Sequence, residues 1–232
     1  MRILVTAGNT LAMIDRVRAI TNIFTGRTGA AIALEAHRRG HTVTLLTSHL
    51  DGIEELDRLR CLPYRTFEDL EALMREHVGT HDAIVHCAAV SDYCAAGIFA
   101  PAATTHFDND LTWRDERDLP MLFDRSAGKV KSDEAELWLR LVRAPKLIDK
   151  IRADWSFHGT LVKFKLEVGV SEADLLAIAE KSRQQSKADW MVANTLDGAS
   201  EWAFLGNENG YNKVTRARLP CSLLDVLEPK HG

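Results

Sequence analysis

"ITNIFTGRTG", residues 20–29, follows an early run of strand type and leads into a stretch with helical periodicity. The strand-type run is "ILVTA" (3–7), and the helical stretch covers residues 27–39. Gly26 and Gly29 would let the backbone approach another group closely, and the N–H groups that begin a helix point toward an anion. The segment predicts a strand, a glycine-containing turn and a helix. The turn is either an anion site or simply a tight connection.

Further apolar runs have the length and composition of strands: "TVTLLT" (42–47), "AIVHCAA" (83–89), "TLVKFKL" (160–166) and "WMVAN" (190–194). Helical periodicity lies between them at residues 67–78, 145–155 and 172–186. The run "ELWLRLV" (136–142) alternates like a strand but lies outside their alternation with helices. This alternation predicts an α/β, Rossmann-like fold with a mostly parallel sheet and helices on both faces. In such sheets ligands bind beyond the carboxyl ends of the strands.

Three helix starts are marked by local signals. Thr66 with Asp69 and Ser171 with Asp174 have the spacing of a capping box. Pro145 is predicted as the first residue of its helix, a position that proline favours.

Two regions depart from the alternation. Residues 94–131 are long and irregular, which predicts a flap loop, because long loops in compact domains usually cover or bind ligands. Residues 201–218 predict a C-terminal hairpin with Asn209 and Gly210 in its turn. No linker divides the chain, so we expect one Rossmann-like domain over residues 1–232.

Composition narrows the class of partner. The 232 residues are 46% hydrophobic, enough to bury a core, and the net charge of −4 gives no general reason to bind nucleic acid or an anionic membrane. A secretory leader and an apolar run of 18 residues are not apparent, so we expect a cytoplasmic protein. The four cysteines lack C-x-x-C spacing, which indicates reduced thiols.

Two other kinds of site are weakly indicated. The first turn, "AGNTLAMID" (7–15), lacks G-x-G-x-x-G and no Tyr-x-x-x-Lys follows, which disfavours an NAD(P)-binding oxidoreductase without removing it as an alternative. His77 and His81 have metal-ligand spacing, but Gly79 lies between them at a predicted helix end. We therefore interpret them as surface histidines and predict no protein metal site.

Six segments, taken in order, resemble the signature segments of phosphopantothenoylcysteine synthetases: "IDRVRAITN" (14–22), "TGRTG" (25–29), "AAVSDY" (88–93), "GKVK" (128–131), "FKLE" (164–167) and "KADWMVAN" (187–194). The resemblance implies a ligase of coenzyme A biosynthesis that joins 4′-phosphopantothenate to L-cysteine through an acyl-nucleotide intermediate. It also implies a homodimer that uses Mg²⁺ with CTP, or alternatively ATP. Since the flavin-binding portion of the two-enzyme fusions is not found in this sequence, no flavin is expected.

The resemblance assigns roles to individual residues. The catalytic residues would be Asn22, Lys129 and Lys131. The nucleotide would meet Gly8, Ala88, Ala89, Asp92, Phe164 and Lys129. The substrate would meet Arg18, Asn22, Gly26, Gly29 and, from the neighbouring subunit, Asn194. These residue types suit the reaction, because lysines offset the charge of two meeting anions and a neutral amide stabilises an oxyanion-like centre. Phe164 has a core phenylalanine as its competing interpretation.

Four features depart from the family pattern, among them "VANT" (192–195) in place of the commoner "VAND" and Ala144 in place of a capping residue before Pro145. The other two are Asn9 and Phe24. Asn9 stands where the family usually has the second glycine of Gly-Gly-Thr, so it places a side chain where backbone normally passes a ligand. Phe24 stands where a serine usually bonds the substrate phosphate, and a phenyl ring cannot donate that hydrogen bond. A related ligase acting on a different carboxylate, or a non-catalytic homologue, therefore stays open.

Overall fold

The computed structural model of the chain describes residues 1–50, 56–102, 105 and 121–228. The chain divides into two compact units. The core unit comprises Met1–Thr10, Asn22–Val90 and Lys146–Gly232, and the insert unit comprises Leu11–Thr21 and Ser91–Pro145. The prediction of one domain over residues 1–232 stays a prediction.

An eight-stranded sheet forms the core unit. Numbered along the whole chain, its strands are β1 (Arg2–Ala7), β4 (Thr42–Thr47), β5 (Leu59–Pro63), β6 (Ala83–His86), β10 (Thr160–Glu167), β11 (Trp190–Thr195), β12 (Trp202–Asn207) and β13 (Gly210–Thr215). Their order is β13-β12-β11-β10-β6-β1-β4-β5. Strands β12 and β13 are antiparallel additions and the other neighbours pair in parallel, which confirms the predicted sheet and C-terminal hairpin.

The helices of the core unit are α1 (Arg27–Arg38), α2 (Phe67–His77), α3 (Leu147–Ala153), α4 (Glu172–Gln185) and α5 (Leu219–Leu227). Alternate residues of each strand face opposite sides of the sheet. Ile3 accordingly packs in one apolar cluster with residues of α1 and α5, and Leu4 packs in another with residues of α2 and α3. This arrangement confirms that helices cover both faces of the sheet.

Two of the helix starts, those of α2 and α4, are fixed by side-chain caps. Thr66 and Asp69 form the predicted capping box, and the hydroxyl of Ser171 accepts a hydrogen bond of 3.2 Å from the main-chain N–H of Asp174. The prediction for Pro145 is wrong, because α3 begins at Leu147. Lys146 between them has an extended backbone, so the helical turn cannot include the proline.

The insert unit contains two small antiparallel sheets. One pairs β2 (Leu11–Met13) with β3 (Ala19–Thr21). The other has the order β8-β7-β9, formed by Leu122–Asp124, Tyr93–Pro101 and Trp138–Arg143. Strands thus occupy parts of the stretch predicted as a flap loop (94–131), namely most of β7 at its start and β8 at 122–124, which pair with each other. Residues 103–104 and 106–120 of that stretch lie outside the described residues.

Within the ranges given above, none of the helices combines the length and the apolar character that crossing a membrane requires.

Candidate functional site

The carboxyl ends of β1 and β6 bring two of the predicted segments together. Gly8 follows β1, and Ala88 and Ala89 follow β6. The main-chain N–H of Ala89 donates to the carbonyl of Gly8 over 2.8 Å, and that of Ala88 donates to Oγ1 of Thr6 over 3.1 Å. The two turns therefore lie side by side at the edge where an α/β sheet binds its ligands.

Asn22 is held at this edge by its side chain and by its main chain. Its Nδ2 donates to the carbonyl oxygen of Ala89 over 3.0 Å, and its own carbonyl accepts from Nδ2 of Asn9 over 2.5 Å. The residue is half-buried. Because both bonds join segments that are distant in sequence, they fix the direction of the Asn22 amide relative to the turn after β6.

The predicted glycines pack against the protein itself. Gly8 and Gly26 have φ angles of 91° and 82°, in the left-handed region that favours glycine. A Cβ on Gly26 would lie 2.3 Å from the nitrogen of Gly8, and one on Gly29 would lie 2.6 Å from Cβ of Ala7. The close crossing of α1 over β1 therefore accounts for these glycines without a ligand, and their contact with substrate stays a prediction.

Arg216, which follows β13, brings positive charge to the first turn of α1. Its guanidinium donates a hydrogen bond to Oγ1 of Thr28. The side chain is half-buried, and this burial lowers its pKa. It forms no ion pair with any residue in the described ranges. The sequence alone did not indicate this residue, because its distance from Thr28 along the chain is 188 residues.

Phe164 and Asn194 lie on neighbouring parallel strands, β10 and β11. Phe164 pairs with Val192, two residues before Asn194, so both side chains are on the face covered by α1 and α5. Phe164 packs partly buried against that apolar cluster, and Asn194 is buried near the end of β11. The core interpretation of Phe164 therefore holds for part of its ring.

A buried polar network lies on the opposite face, below the turn after β6. Nδ1 of His86 lies 3.0 Å from Oγ1 of Thr6, and burial lowers the pKa of His86 to about 4, with the nearby charge of Lys163 adding to this effect. Nζ of Lys163 donates to Oγ of Ser186 over 2.5 Å, and burial lowers its pKa to about 8. The sequence pattern did not single out these residues, since Thr6, His86 and Lys163 occupy ordinary strand positions and Ser186 comes directly after α4.

In the insert unit, Arg18 binds the "GKVK" segment rather than standing free. Its guanidinium donates to Oδ2 of Asp15 over 2.7 Å and to the carbonyl of Val130 over 2.8 Å. Oδ2 of Asp15 also accepts from the main-chain N–H of Val130 over 3.1 Å. These bonds, above all that from Arg18, hold the pKa of Asp15 well below its usual range. Val130 is buried, while its neighbours Lys129 and Lys131 are exposed.

Asp92 also belongs to the insert unit. Its main-chain carbonyl accepts a hydrogen bond of 2.8 Å from the N–H of Ala144, and the residue is exposed. The sequence-predicted site residues therefore form two sets. Gly8, Asn22, Gly26, Gly29, Ala88, Ala89, Phe164 and Asn194 are in the core unit, whereas Arg18, Asp92, Lys129 and Lys131 are in the insert unit.

His77 and His81 have structural roles in the described structure. Nδ1 of His81 donates to the carbonyl of His77 over 2.7 Å, and its Nε2 lies 2.9 Å from Oγ1 of Thr44. Both histidines are partly buried rather than on the open surface as predicted, since His77 ends α2 and His81 contacts Thr44 of β4. Among the residues described, no three or more His, Cys, Asp or Glu side chains converge to hold a metal ion.

Comparison of the chain with known proteins shows which family it matches. The model of the DNA/pantothenate metabolism flavoprotein C-terminal domain matches residues 1–109 and 122–220. The coenzyme A biosynthesis bifunctional protein CoaBC of Thermococcus kodakarensis is 34% identical over 197 residues, which are 84% of this chain and 41% of that protein. The CoaBC protein of Mycobacterium bovis is 28% identical over 195 residues, 84% of this chain and 42% of its own. The chain thus spans about two fifths of the length of these curated relatives.

Solved structures agree with the sequence relatives. The crystal structure of the DNA/pantothenate metabolism flavoprotein from Streptococcus pneumoniae superposes with a TM-score of 0.81 at 29% identity, covering 97% of both chains. A Cab2 mutant in complex with phosphopantothenate-cysteine has the same fold, with a TM-score of 0.66 at 16% identity over 97% of this chain and 85% of that one. The resemblance seen in the sequence is confirmed, and the chain belongs to the family of the DNA/pantothenate metabolism flavoprotein C-terminal domain.

Proposed function

We propose that this chain is a phosphopantothenate–cysteine ligase, which forms 4′-phosphopantothenoyl-L-cysteine in coenzyme A biosynthesis. The observation that carries the proposal is the placement of Asn22. Its side-chain amide is fixed by the carbonyl of Ala89 at the carboxyl ends of β1 and β6, within a chain of this family. The fold is also that of a Cab2 mutant whose structure holds phosphopantothenate-cysteine, which supports this substrate class.

The first proposed step activates the carboxylate. A carboxylate oxygen of 4′-phosphopantothenate attacks the α-phosphorus of a nucleoside triphosphate, the bond to the β-phosphate oxygen breaks, and pyrophosphate leaves. Both reactants are anions, so positive charge must lie where they meet. The exposed Lys129 and Lys131 supply it in this proposal. CTP is the favoured nucleotide and ATP the alternative, with Mg²⁺ carried on the triphosphate oxygens.

The second proposed step forms the amide. The amine of L-cysteine attacks the acyl carbon, a proton is lost from nitrogen, and the nucleoside monophosphate leaves. Negative charge develops on the acyl oxygen during this attack. A neutral amide such as that of Asn22 stabilises this charge without changing its own protonation state.

The other predicted site residues are assigned in this proposal to the nucleotide or to phosphopantothenate. The backbone at Gly8, Ala88 and Ala89 and the ring of Phe164 would face the nucleotide, as would Asp92. The phosphopantothenate end would be bound by Gly26, Gly29 and, from a second subunit, Asn194. Arg216, whose guanidinium contacts Thr28 in the first turn of α1, adds the positive charge that a phosphate group needs. Arg18 would act on the substrate through the segment that it holds.

We further propose that the enzyme works as a cytoplasmic homodimer. Several large apolar side chains of the insert unit are exposed on its three-stranded sheet, among them Tyr93 at 50%, Phe123 at 47% and Leu141 at 44%. Exposed apolar side chains grouped on one small sheet favour association with another protein surface. Sedimentation that shows only monomer at micromolar concentration would contradict the dimer.

Phe24 favours one second candidate. The ring occupies a half-buried position three residues before the start of α1. An aromatic ring suits an apolar group better than a phosphate, so a ligase acting on a carboxylate without the phosphate is the alternative. Pantothenate itself, offered in place of 4′-phosphopantothenate, distinguishes the two.

The test mixes purified protein with Mg²⁺, 4′-phosphopantothenate, L-cysteine and either CTP or ATP, and follows pyrophosphate release and product mass. We expect one pyrophosphate for each amide formed with one of the nucleotides. If neither CTP nor ATP yields pyrophosphate at saturating concentrations of both substrates, the proposal is contradicted.

A further inference from the structure

Asn9 contacts the segment that precedes α1 and the segment that follows β4. The residue comes directly after Gly8 and is 8% exposed. Its Nδ2 donates to the carbonyl oxygen of Asn22 over 2.5 Å, and its Oδ1 accepts from the hydroxyl of Ser48 over 2.9 Å. Its main-chain N–H donates to the same hydroxyl oxygen over 2.9 Å. One side chain therefore links three stretches of the rim.

The hydrogen-bond partners fix which way the Asn9 amide points. A carbonyl oxygen can only accept, so the group facing the Asn22 carbonyl must be the NH₂. The oxygen of the amide then faces Ser48, whose hydroxyl can donate to it while accepting from the Asn9 N–H. Nδ1 of His49 lies 2.9 Å from the same hydroxyl oxygen. The side-chain amide of Asn9 therefore donates to Asn22 and accepts from Ser48.

We infer that Asn9 is a positioning residue for Asn22. It holds the main chain of Asn22, while the carbonyl of Ala89 holds the side-chain amide. A glycine at position 9 has no side chain with which to make this link. The residue that departs from the family pattern thus has a function in this chain, because it ties the catalytic asparagine to Ser48. The catalytic consequence of this inference rests on the proposed function.

Loss of the link should change the fate of the intermediate. Asn9→Ala leaves the lysines untouched, so the acyl nucleotide should still form and pyrophosphate should still be released. A displaced Asn22 amide should slow conversion to the amide product roughly tenfold, the effect of losing about one hydrogen bond. The measurement is the ratio of pyrophosphate to amide product in single-turnover reactions analysed by quenched-flow mass spectrometry.

Three comparisons separate positioning from general weakening of the fold. Ser48→Ala removes the outer anchor and should shift the ratio in the same direction but less. Asn212→Ala, which removes an exposed asparagine on β13, should leave the ratio unchanged. Combining Asn9→Ala with Asn22→Ala should be no worse than Asn22→Ala alone, because the two residues act as a unit. If Asn9→Ala lowers only the melting temperature and keeps the parent ratio, the inference is wrong.

A second readout does not depend on catalysis. The side-chain NH₂ resonances of Asn22 in a ¹⁵N-edited spectrum are identified by their loss in Asn22→Ala. They should shift in Asn9→Ala and in Ser48→Ala, and should stay in place in Asn212→Ala. Such shifts in a protein that releases no pyrophosphate would uphold the link and remove the proposed function. Unshifted resonances in Asn9→Ala would overturn the inference, whatever the activity.

Discussion

The side-chain amide of Asn22 donates a hydrogen bond of 3.0 Å to the main-chain carbonyl of Ala89, joining residues 67 positions apart in sequence. This bond turns a flexible polar side chain into a fixed donor group at the carboxyl ends of β1 and β6. A fixed donor stabilises developing charge without reorganisation at the moment of reaction. The second proposed chemical step depends on this bond.

Removal of the Asn22 amide should therefore separate the two steps. In Asn22→Ala we expect pyrophosphate release to continue while the acyl nucleotide accumulates and amide formation falls by about 10²-fold or more, as for loss of an oxyanion donor. Quenched-flow mass spectrometry measures all three species. Amide formation at the parent rate would show that Asn22 has no part in the second step.

Lys129 should act earlier than Asn22. In Lys129→Ala the positive charge at the meeting of the two anions is reduced, so acyl-nucleotide formation itself should be blocked and pyrophosphate release should fall with it. Lys213→Ala, which removes an exposed lysine of β13, serves as the matched control. An accumulating acyl nucleotide in Lys129→Ala would place this lysine after the first step and contradict its assignment.

Asp15 should determine how firmly the "GKVK" segment is held. In Asp15→Asn the carboxylate that accepts from both Arg18 and the N–H of Val130 becomes a neutral amide, which weakens both bonds. Trypsin should then cut after Lys129 or Lys131 several-fold faster than in the parent protein. The exposed Asp197→Asn should be cut at the parent rate. Equal cleavage of all three proteins would mean that Asp15 does not hold the segment.

Acid should destabilise the protein through His86. Its pKa of about 4 in the folded protein lies below the unfolded value of 6.5, so the unfolded state takes up the proton first as the pH falls. The free energy of unfolding should decrease between pH 6.5 and 4 by as much as about 3 kcal/mol from this group. Lys163 is the charged neighbour that adds to the shift.

Urea unfolding at several pH values tests this dependence. His86→Gln should flatten the decline, whereas His158→Gln, a change at an exposed histidine, should not. Because partial burial also lowers the pKa of His81, a smaller decline should persist in His86→Gln. Parallel pH profiles for His86→Gln and the parent protein would contradict the assignment.

Gly29 should be required by packing even when no substrate is present. A Cβ there would lie 2.6 Å from Cβ of Ala7 and 3.1 Å from the carbonyl oxygen of Thr6, so Gly29→Ala must push α1 away from β1. We expect a loss of about 1–3 kcal/mol in the free energy of unfolding. Gly79→Ala meets no atom within 4 Å and should change stability far less. If the two substitutions lower the free energy of unfolding equally, α1 can move away from β1 without loss of stability.

Local patterns predicted the parts of this fold that depend on local interactions. The strands β1, β4 and β11 are largely apolar, and in β10 apolar residues alternate with Lys163 and Lys165. The starts of α2 and α4 are set by side chains three residues apart. Strand β5, "LRCLP", was not predicted, because Arg60 and Pro63 break up its apolar pattern and its pairing with β4 supplies the missing stability. Helix α5 was also missed, since its nine residues follow a hairpin directly and begin next to Pro220.

The candidate site was predictable only where the chain carries family segments. Asn22 and the two lysines came from those segments. The link from Asn9 to Ser48 spans 39 residues and the contact from Arg216 to Thr28 spans 188 residues, so each depends on how the sheet is assembled. Arg18 was identified, but its partners Asp15 and Val130 follow from the turn between β2 and β3, which no periodicity indicates.

The most direct test of the central claim follows a carboxylate oxygen. 4′-Phosphopantothenate labelled with ¹⁸O in its carboxylate is incubated with the protein, Mg²⁺, L-cysteine and the nucleotide that supports turnover, and the products are weighed by mass spectrometry. Attack of the carboxylate on the α-phosphorus predicts one ¹⁸O in the nucleoside monophosphate and none in pyrophosphate. Label found in pyrophosphate or inorganic phosphate, or a nucleoside monophosphate without label, would contradict the acyl-nucleotide mechanism.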